Sequence, residues 1–397
     1  MTKHTLNVFS FLCIFVANLL FATHEDTVFE EDKDTTVLIK VLLEENLEGA
    51  LIDVQGSYKV YNPEKNKVIS SGSKGKRYYL QTTETGLKWG EGYPGIYQIR
   101  IEPNDSESSI LINGIQYKGS IEAYNINSKI QLVNILDVED LLISVLSEHF
   151  FSKKYHSITY DALSIIARTN FYHAVAKNSN PYWDLLASEI NYCGYASKGI
   201  HSDIERAIIA TKNLILTFND QPFATTWTEN CAGHTASFQS IFRKKFSGPE
   251  GVAVAYAQKE RMQNRWKCTL SKGELAKILS LDTITSIDLF CDQSTKKVYA
   301  LRIASKNKFV EIPFDEFQKL IGKNRVLSND FTAHVVKEHI SFDGYGKGFG
   351  VGLCLFSADY MAKSGNSTPQ ILSHFYPTTH LVKLGYIPDS FKETQKE

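Results

Sequence analysis

A glutamate that follows an amphipathic segment is the first candidate for catalysis in this sequence. Apolar residues recur at helical spacing from Val138 to Leu146, and Glu148 lies off their stripe, at the predicted end of the helix. A carboxyl group that a cleft partly removes from water keeps its proton to higher pH, which suits a general acid. A glutamate at the end of a surface helix is more commonly just solvated, so position alone leaves both interpretations open.

A single arginine interrupts an otherwise apolar helical stretch. This residue is Arg168, within Ile165–Thr169. A guanidinium in such a position either extends along its apolar stem to reach water or pairs with a buried carboxylate. We expect a helix–helix ion pair in preference to a substrate clamp, and the sequence leaves both open.

Cysteines and histidines occur at spacings that only partly resemble a metal site. Cys231 and His234 have a C-x-x-H spacing, and with Cys193 and His201 they could form a Cys2His2 zinc set. The intervals between them match neither a zinc finger nor a zinc ribbon. We therefore favour turn residues that line a cleft, and we expect no metal and no cofactor.

Alternating glycines from Gly344 to Gly352 look like a phosphate loop at first sight. The segment lacks the G-K-[ST] ending and the position after a first strand that are typical of nucleotide-binding folds. Glycines before a helix instead allow the backbone to approach another backbone or a bulky ligand. We expect this segment to shape a groove and not to bind nucleotide.

Strands are predicted throughout the N-terminal part that precedes these candidates. Short runs of β-branched and aromatic residues occupy residues 36–135, and Val37–Leu42 and Ser109–Ile112 are two of them. The Asn113-Gly114 pair has the composition of a hairpin turn. This part of the chain is therefore predicted to be β-rich.

Helices are predicted in the middle of the chain. Asp137 is suited to cap the helix that leads to Glu148, and helical spacing returns over Ser157–Ala176. Strands are predicted again at Leu214–Thr217 and at Phe223–Thr226. The predicted fold class is α+β, with a β-rich N-terminal part, a mixed core and a glycine-rich C-terminal segment.

The composition is that of a globular protein with an export signal. Hydrophobic residues make up 43% of the 397 residues, and 43 Lys plus Arg balance 44 Asp plus Glu, which gives no electrostatic support for nucleic acid as a partner. Lys3 and His4 precede an apolar run from Leu6 to Ala22, so residues 1–22 are predicted to be a signal peptide. We expect export to the periplasm or cell envelope, with membrane attachment only if this segment stays uncleaved.

The order of these motifs resembles that of the SpoIID/LytB family of cell-wall proteins, from about Val37 to Leu381. The segments that carry the resemblance are Tyr117-Lys118-Gly119 (the family's Y-[RK]-G strand), Val145-Leu146-Ser147-Glu148 (V-x-S-E), Ala167-Arg168-Thr169 (the end of its long helix), Ala232-Gly233-His234-Thr235 (S-G-G-[HKR]-T) and Gly350-Val351-Gly352 (G-V-G). The Glu of V-x-S-E is the family's catalytic residue. The resemblance therefore implies that Glu148 is the acid/base.

The sequence departs from the family pattern beside these motifs. His149-Phe150 stands where the family has Met-Pro after its catalytic Glu. In the glycine segment, Lys347 takes the position of a Trp and Phe349 that of a His. The ligands that zinc-binding members have near Cys193 are missing from the sequence. We therefore expect a glycan groove that differs from that of typical members.

The resemblance implies lytic transglycosylation, which cleaves the bond between MurNAc and GlcNAc of peptidoglycan, preferably in strands that an amidase has stripped of stem peptides. An ordinary glycosidase needs two carboxyl groups. A lytic transglycosylase needs one, which protonates the leaving oxygen and then deprotonates the MurNAc 6-hydroxyl as the 1,6-anhydro ring closes. Glu148 alone meets this requirement, and Glu139 and Asp140 are interpreted as capping or fold residues.

The same resemblance implies how the rest of the chain contributes. Residues 36–135 would be the N-terminal part of a SpoIID-like region, and residues 136–385 its catalytic core. The substrate-binding residues that it implies are Ser147, Arg168, Gly233, His234, Thr235, Gly350 and Gly352. The implied partners are peptidoglycan glycan strands and an amidase that removes stem peptides.

An alternative function stays open at this point. Some relatives are amidase enhancers, so the protein could bind the cell wall without catalysis and recruit or enhance an amidase. Retention of Glu148 favours the enzyme, whereas the altered glycine segment favours the alternative.

Overall fold

The computed structural model describes residues 36–391 of the chain, apart from residues 106–107, 196–197 and 245–246. The predicted signal peptide, residues 1–22, lies outside the described residues. Among the helices of the described part, none is long and apolar enough to cross a membrane.

The N-terminal part consists of strands, as predicted, because its short runs alternate between buried and exposed side chains. The strands that precede the first helix are β1 (Leu38–Leu47), β2 (Gly49–Gln55), β3 (Tyr58–Asn62), β4 (Lys67–Gly72), β5 (Lys76–Thr83), β6 (Gly86–Trp89), β7 (Glu91–Pro94), β8 (Gln98–Pro103), β9 (Ser109–Ile112), β10 (Ile115–Tyr117), β11 (Ser120–Ile126) and β12 (Lys129–Asp137). Asn113 and Gly114 join β9 to β10 with φ of 51° and 87°, the left-handed conformation of a two-residue hairpin turn.

The helices and short strands of the middle region follow directly from β12. They are α1 (Val138–Phe150), α2 (Ser157–Lys177), β13 (Leu185–Leu186), α3 (Ala187–Ile190), α4 (Ser202–Ala210), β14 (Leu214–Thr217), β15 (Trp227–Thr228), α5 (Phe238–Phe242) and α6 (Ala255–Lys259). Asp137 caps α1 as predicted, since its carboxylate accepts a hydrogen bond of 2.8 Å from the Glu139 amide.

Two antiparallel-rich sheets hold the N-terminal part together. The seven-stranded sheet has the order β13-β1-β12-β11-β8-β3-β4, and the six-stranded sheet has the order β10-β9-β2-β5-β6-β7. In the larger sheet, β12 pairs antiparallel with both β1 and β11. Residues Ile130–Leu136 of β12 are all buried, so both faces of this strand are covered, and its end fixes the start of α1.

Helix α2 lies at the centre of the main core. Most of its 21 residues are buried, because it contacts α1, α4, α9 (Leu355–Lys363), α10 (Thr368–Phe375) and β14. A helix covered on several sides has no single apolar stripe. One hydrophobic cluster combines α2 with both sheets, and it includes Leu132 and Leu141 from either side of residue 135. The division into residues 36–135 and 136–385 stays a prediction.

Residues 265–345 form a second lobe with a hydrophobic cluster of its own, which includes Trp266, Phe317 and Phe342. Its elements are β16 (Arg265–Ser271), α7 (Lys272–Ile278), β17 (Ser286–Cys291), β18 (Val298–Ala304), β19 (Phe309–Pro313), α8 (Phe314–Ile321), β20 (Phe331–Val336) and β21 (His339–Tyr345). They form two three-stranded sheets, β16-β21-β20 and β17-β18-β19. Sequence analysis did not predict a separate lobe.

The C-terminal elements return to the main core. Strand β22 (Leu353–Cys354) pairs parallel with β15, and β23 (His380–Lys383) pairs antiparallel with β14. The α+β fold class is confirmed. The predicted strand at Phe223–Thr226 is wrong, because strand pairing begins only at Trp227. The Thr226 carbonyl accepts a hydrogen bond of 3.1 Å from the Leu353 amide where this pairing begins.

Candidate active site

Glu148 lies in the last turn of α1, which continues to Phe150, two residues beyond it. The opposite side of α1 is fixed in the core by Leu142 and Leu146, both of which are fully buried. Residues three or four apart share one face of a helix, so burial of this side turns Glu148 toward the surface. Its side chain is 21% exposed.

A cavity of about 440 Å³ opens beside Glu148. Its size falls within the roughly 300–1,000 Å³ of typical ligand pockets. Side chains from α1, α2, α3 and β15 surround it, and those with polar or aromatic groups are Glu148, His149, Asn170, Phe171, Glu189, Asn191, Thr225, Thr226 and Trp227. A carboxyl group, amides and an aromatic ring in one concave site suit the binding of a sugar.

The Glu148 carboxylate forms an ion pair in this conformation. The Nζ atom of Lys198 lies 2.5 Å from Oε1 of Glu148, and most of the Lys198 side chain is exposed. Sequence analysis missed this lysine, because nothing in the local sequence relates it to the end of α1.

The ring of His149 lies edge-on against Trp227, with ring centroids 5.5 Å apart. Partial desolvation lowers the pKa of His149, and the cations Lys323 and Lys153 lower it further, against the opposing effect of Glu229. A neutral imidazole therefore lines the cavity at pH 7, at the position where the family pattern has Met.

Glu189 is a second carboxylate in the cavity, and sequence analysis did not single it out. It belongs to the short helix α3, and its side chain is exposed. A one-turn helix carries little periodic signal, so the sequence offered no reason to select this residue. Its presence matters because glycoside hydrolysis requires two carboxyl groups.

Arg168 forms the expected helix–helix ion pair and does not reach the cavity. Its guanidinium is fully buried and bidentate with Glu139, with Nε–Oε1 and Nη2–Oε2 distances of 2.9 and 2.6 Å. Its remaining donors reach the carbonyl groups of Leu214 and Ile208. Arg168 thus forms a structural contact that joins α1, α2, α4 and β14. The substrate contact that the resemblance implies for Arg168 stays a prediction.

Ser147 is also buried and faces away from the cavity. Its hydroxyl accepts a hydrogen bond of 3.1 Å from the His201 amide, at the start of α4. This direction agrees with helix geometry, because the neighbour of Glu148 on a helix points about 100° away from it. The substrate-binding role that the resemblance implies for Ser147 stays a prediction.

The loop at Gly233, His234 and Thr235 lies beside a second, smaller cavity. Of these residues, Thr235 lines this cavity of about 40 Å³, together with Gly352 of the glycine segment. Thr226 lines both cavities, so the two meet at that residue. Gly233 and His234 support the loop: the Gly233 carbonyl accepts from the Val254 amide, and His234 Nδ1 lies 2.7 Å from the Thr235 carbonyl oxygen.

Gly350 approaches a buried lysine and not a cavity. A Cβ atom on Gly350 would come within 2.4 Å of Cε of Lys297, and the backbone there has φ of 60°. Lys297 in turn donates to the Cys231 carbonyl at 2.9 Å and lies 3.4 Å from Asp330. The glycine segment and the second lobe therefore approach each other closely at Gly350. The substrate contact that the resemblance implies for Gly350 stays a prediction.

The candidate zinc ligands are dispersed. Cys193 is exposed, whereas Cys231 is buried next to Cys354, and burial raises the pKa of the Cys231 thiol. His201 Nε2 lies 3.1 Å from the Lys153 carbonyl oxygen. Across the described ranges, no group of three or more His, Cys, Asp or Glu side chains could hold a metal ion.

Comparison with known proteins identifies the family of the chain. The model of the family described as Stage II sporulation protein, SpoIID, matches residues 126–218. An uncharacterized protein of Chlamydia pneumoniae is 33% identical over 196 residues, which cover 48% of this chain and 70% of that protein. The chain belongs to the SpoIID family.

Two further relatives are uncharacterized proteins as well. That of Chlamydia muridarum (strain MoPn / Nigg) is 33% identical over 180 residues, which cover 45% of this chain and 62% of the relative. That of Brachyspira hyodysenteriae is 26% identical over 367 residues, which cover 89% of this chain and 95% of the relative. The similarity therefore includes a protein aligned over nearly its whole length.

SpoIID membership connects the protein with the cell wall. The SpoIID family is linked to peptidoglycan hydrolysis, and its members act on the cell wall. The SpoIID match runs from the end of β11 to the end of β14, so it includes Glu148, Arg168 and Glu189. The loop at Gly233 and the glycine segment lie outside the matched residues.

Proposed function

We propose that this SpoIID-family protein is an exported peptidoglycan lytic transglycosylase that cleaves MurNAc–GlcNAc bonds in peptide-stripped glycan strands. The observation that carries the proposal is the position of Glu148, in the last turn of α1, within the family-matched residues and at the wall of a cavity of about 440 Å³. A concave site with a carboxyl group fixed in the last turn of a helix suits a reaction that needs a single acid/base.

The proposed reaction uses Glu148 twice. In the first step its carboxyl group gives a proton to the glycosidic oxygen as the bond from that oxygen to C1 of MurNAc breaks. In the second step the resulting carboxylate takes the proton of the MurNAc 6-hydroxyl, whose oxygen attacks C1 and closes the 1,6-anhydro ring. Atoms balance without water, and Glu148 returns to its starting state. Positioned proton transfer of this kind contributes about 10²–10⁴-fold to a rate.

The ion pair with Lys198 has to open for the first step. The pair at 2.5 Å engages the carboxylate, whereas the acid step requires a protonated carboxyl group. Exposed ion pairs are worth about 0–1 kcal/mol, so a bound glycan can displace the mostly exposed lysine at small cost. We expect Lys198 to face the solvent or the substrate in the complex.

The glycan is proposed to extend across Thr226, where the two cavities meet. Thr235 and Gly352 would then shape the wall of the groove, because the cavity of about 40 Å³ that they line is too small for a sugar ring. Gly233 and His234 would act through the loop that they support.

Export is part of the proposal, because the substrate lies outside the cytoplasm. The apolar run that ends at Ala22 supports export, because it has the pattern of a signal peptide. Intact-mass analysis of protein from the native envelope should find a species without about the first 22 residues. A full-length cytoplasmic species would overturn this part of the proposal.

The product of wild-type protein on peptide-stripped glycan strands tests the reaction. Mass spectrometry distinguishes a 1,6-anhydro-MurNAc end from a reducing end, because the two differ by one water molecule. We expect anhydro ends. Reducing ends would instead favour a hydrolase that uses Glu189 as its second carboxylate. Binding without cleavage would favour the wall-binding protein that recruits an amidase.

A further inference from the structure

Two lysines share one carboxylate next to the cavity of Glu148. Nζ of Lys153 lies 2.6 Å from Oε1 of Glu229, and Nζ of Lys347 contacts Oε2 of the same carboxylate. Glu229 comes two residues after Trp227, which lines the cavity. The charges of Lys153 and Glu229 both act on His149, which lines it as well. The three charged groups therefore lie at the rim of the proposed active site.

The backbone at each of the three positions is held in place. The Lys153 amide donates to the Phe150 carbonyl at 2.8 Å, and the Lys153 carbonyl accepts from the Tyr160 hydroxyl at 2.8 Å. The Lys347 carbonyl accepts from the Thr228 hydroxyl at 2.9 Å.

The backbone at Glu229 is also held in place. The Glu229 carbonyl accepts from the Phe356 amide at 3.0 Å. Charged groups on such fixed backbone lose less freedom on binding than those on a mobile loop. The charged groups of Lys153, Glu229 and Lys347 are therefore preorganised.

The arrangement has an excess of positive charge. Two ammonium groups face one carboxylate, and each ammonium has three N–H donors. Desolvation raises the pKa of Glu229, but hydrogen bonds from Lys153 and Lys347 outweigh it and lower the pKa overall, so the carboxylate is ionised at neutral pH. The side chains of Lys153 and Lys347 are 41% and 53% exposed, which leaves both ammonium groups accessible.

We propose that Lys153 and Lys347, oriented by Glu229, bind a carboxylate of the glycan at the rim of the Glu148 cavity. A carboxylate presents two oxygens that two neighbouring ammonium groups can satisfy together. This inference rests on the proposed function, because the lactyl carboxyl group of MurNAc is a free anion only where no stem peptide is attached. With a peptide attached it is a neutral amide. The site would therefore select stripped strands by charge.

The test compares two forms of one ligand on protein that cannot turn it over. Binding to the Glu148→Gln variant is measured by calorimetry at low salt, with peptide-stripped MurNAc-GlcNAc strands and with the same strands after methyl esterification of their carboxyl groups. We expect the free acid to bind roughly tenfold more tightly than the ester, and the difference to shrink at high salt.

Substitution of each lysine then locates the site. Lys153→Ala and Lys347→Ala should each weaken binding of the free acid about fivefold and leave binding of the ester unchanged. Lys347→Arg should retain the affinity. Lys129→Ala is the matched control, because Lys129 is 39% exposed, pairs with Glu48 and lies at the end of β12 remote from α1.

The outcomes separate this inference from the proposed function. Equal affinity for acid and ester, or an equal loss in Lys129→Ala, would overturn the carboxylate site even if wild-type protein releases anhydro ends. Release of anhydro ends is measured separately on wild-type protein. Failure to bind either form, together with failure to cleave, would overturn both proposals.

Discussion

The region around Glu148 and the glycine segment are built in different ways. In the region around Glu148, local sequence signals position the side chains. Asp137 caps α1, and the periodic apolar residues of α1 and α2 bring Glu139 to Arg168. In the glycine segment, contacts between segments distant in sequence position the residues. The Ala236 amide, for example, donates to the Gly350 carbonyl at 2.8 Å. The family match covers the first region and ends before the second.

This difference shows which structural features can be predicted from neighbouring residues and which depend on distant segments. A helix with a cap and a stripe of apolar residues is specified by neighbours within a few positions. A glycine that permits close approach is specified by a segment more than a hundred residues away, as with Gly352 and Thr226. The two regions should therefore respond differently to substitution, which the following predictions use.

The largest effect on stability is expected at the buried ion pair. Arg168→Met removes a fully buried cation and leaves the Glu139 carboxylate without its partner, which should cost about 3–5 kcal/mol of unfolding free energy. Urea unfolding measures it. Arg325→Met is the control, because Arg325 pairs with Glu274 at an exposed site and should cost about 1 kcal/mol or less. Equal losses in the two variants would contradict the structural role of Arg168.

An intermediate effect is expected in the glycine segment. Gly352→Ala would bring a Cβ atom within 2.1 Å of the Thr226 carbonyl oxygen, at a backbone φ of 71°. Left-handed strain alone costs about 1–2 kcal/mol, and the clash adds to it.

Substitution of Gly365 measures the cost of backbone strain without a steric clash. Gly365 has φ of 91°, and a Cβ atom added there would meet no heavy atom within 4 Å beyond its chain neighbours, so Gly365→Ala carries strain without contact. Thermal unfolding should show a clearly larger loss for Gly352→Ala. Equal losses would mean that close approach at Thr226 is unimportant.

The smallest effect is expected at the second carboxylate of the cavity. Glu189 is exposed, so Glu189→Gln should change stability by under about 0.5 kcal/mol. If Glu148 acts alone, the rate of anhydro-end release should also stay within a few-fold of wild type. A loss of about 10²-fold or more would indicate two-carboxylate chemistry.

Much of the fold followed from the sequence because its signals are local. The cap at Asp137, the hairpin turn at Asn113 and the strand Leu214–Thr217 were all predicted at the positions observed. The strand predicted at Phe223–Thr226 was wrong, because a short run of aromatic and β-branched residues favours a strand whether or not a partner strand lies beside it.

The candidate site was less predictable than the fold. Glu148 could be selected from helical spacing and from the family motif, whereas Glu189 and Lys198 have no local signature. The cluster of Lys153, Glu229 and Lys347 combines three separate segments of the chain. Their proximity depends on the tertiary arrangement, which periodicity and composition do not encode.

The central claim is that Glu148 is the acid/base, and a rate measurement on Glu148→Gln tests it most directly. The amide has nearly the same shape but can neither give a proton to the leaving oxygen nor take one from the 6-hydroxyl. Release of 1,6-anhydro-MurNAc ends from peptide-stripped strands should fall by about 10²–10⁴-fold or more, while the unfolding free energy changes by about 1 kcal/mol or less. A Glu148→Gln protein that releases these ends as fast as wild type would contradict the account.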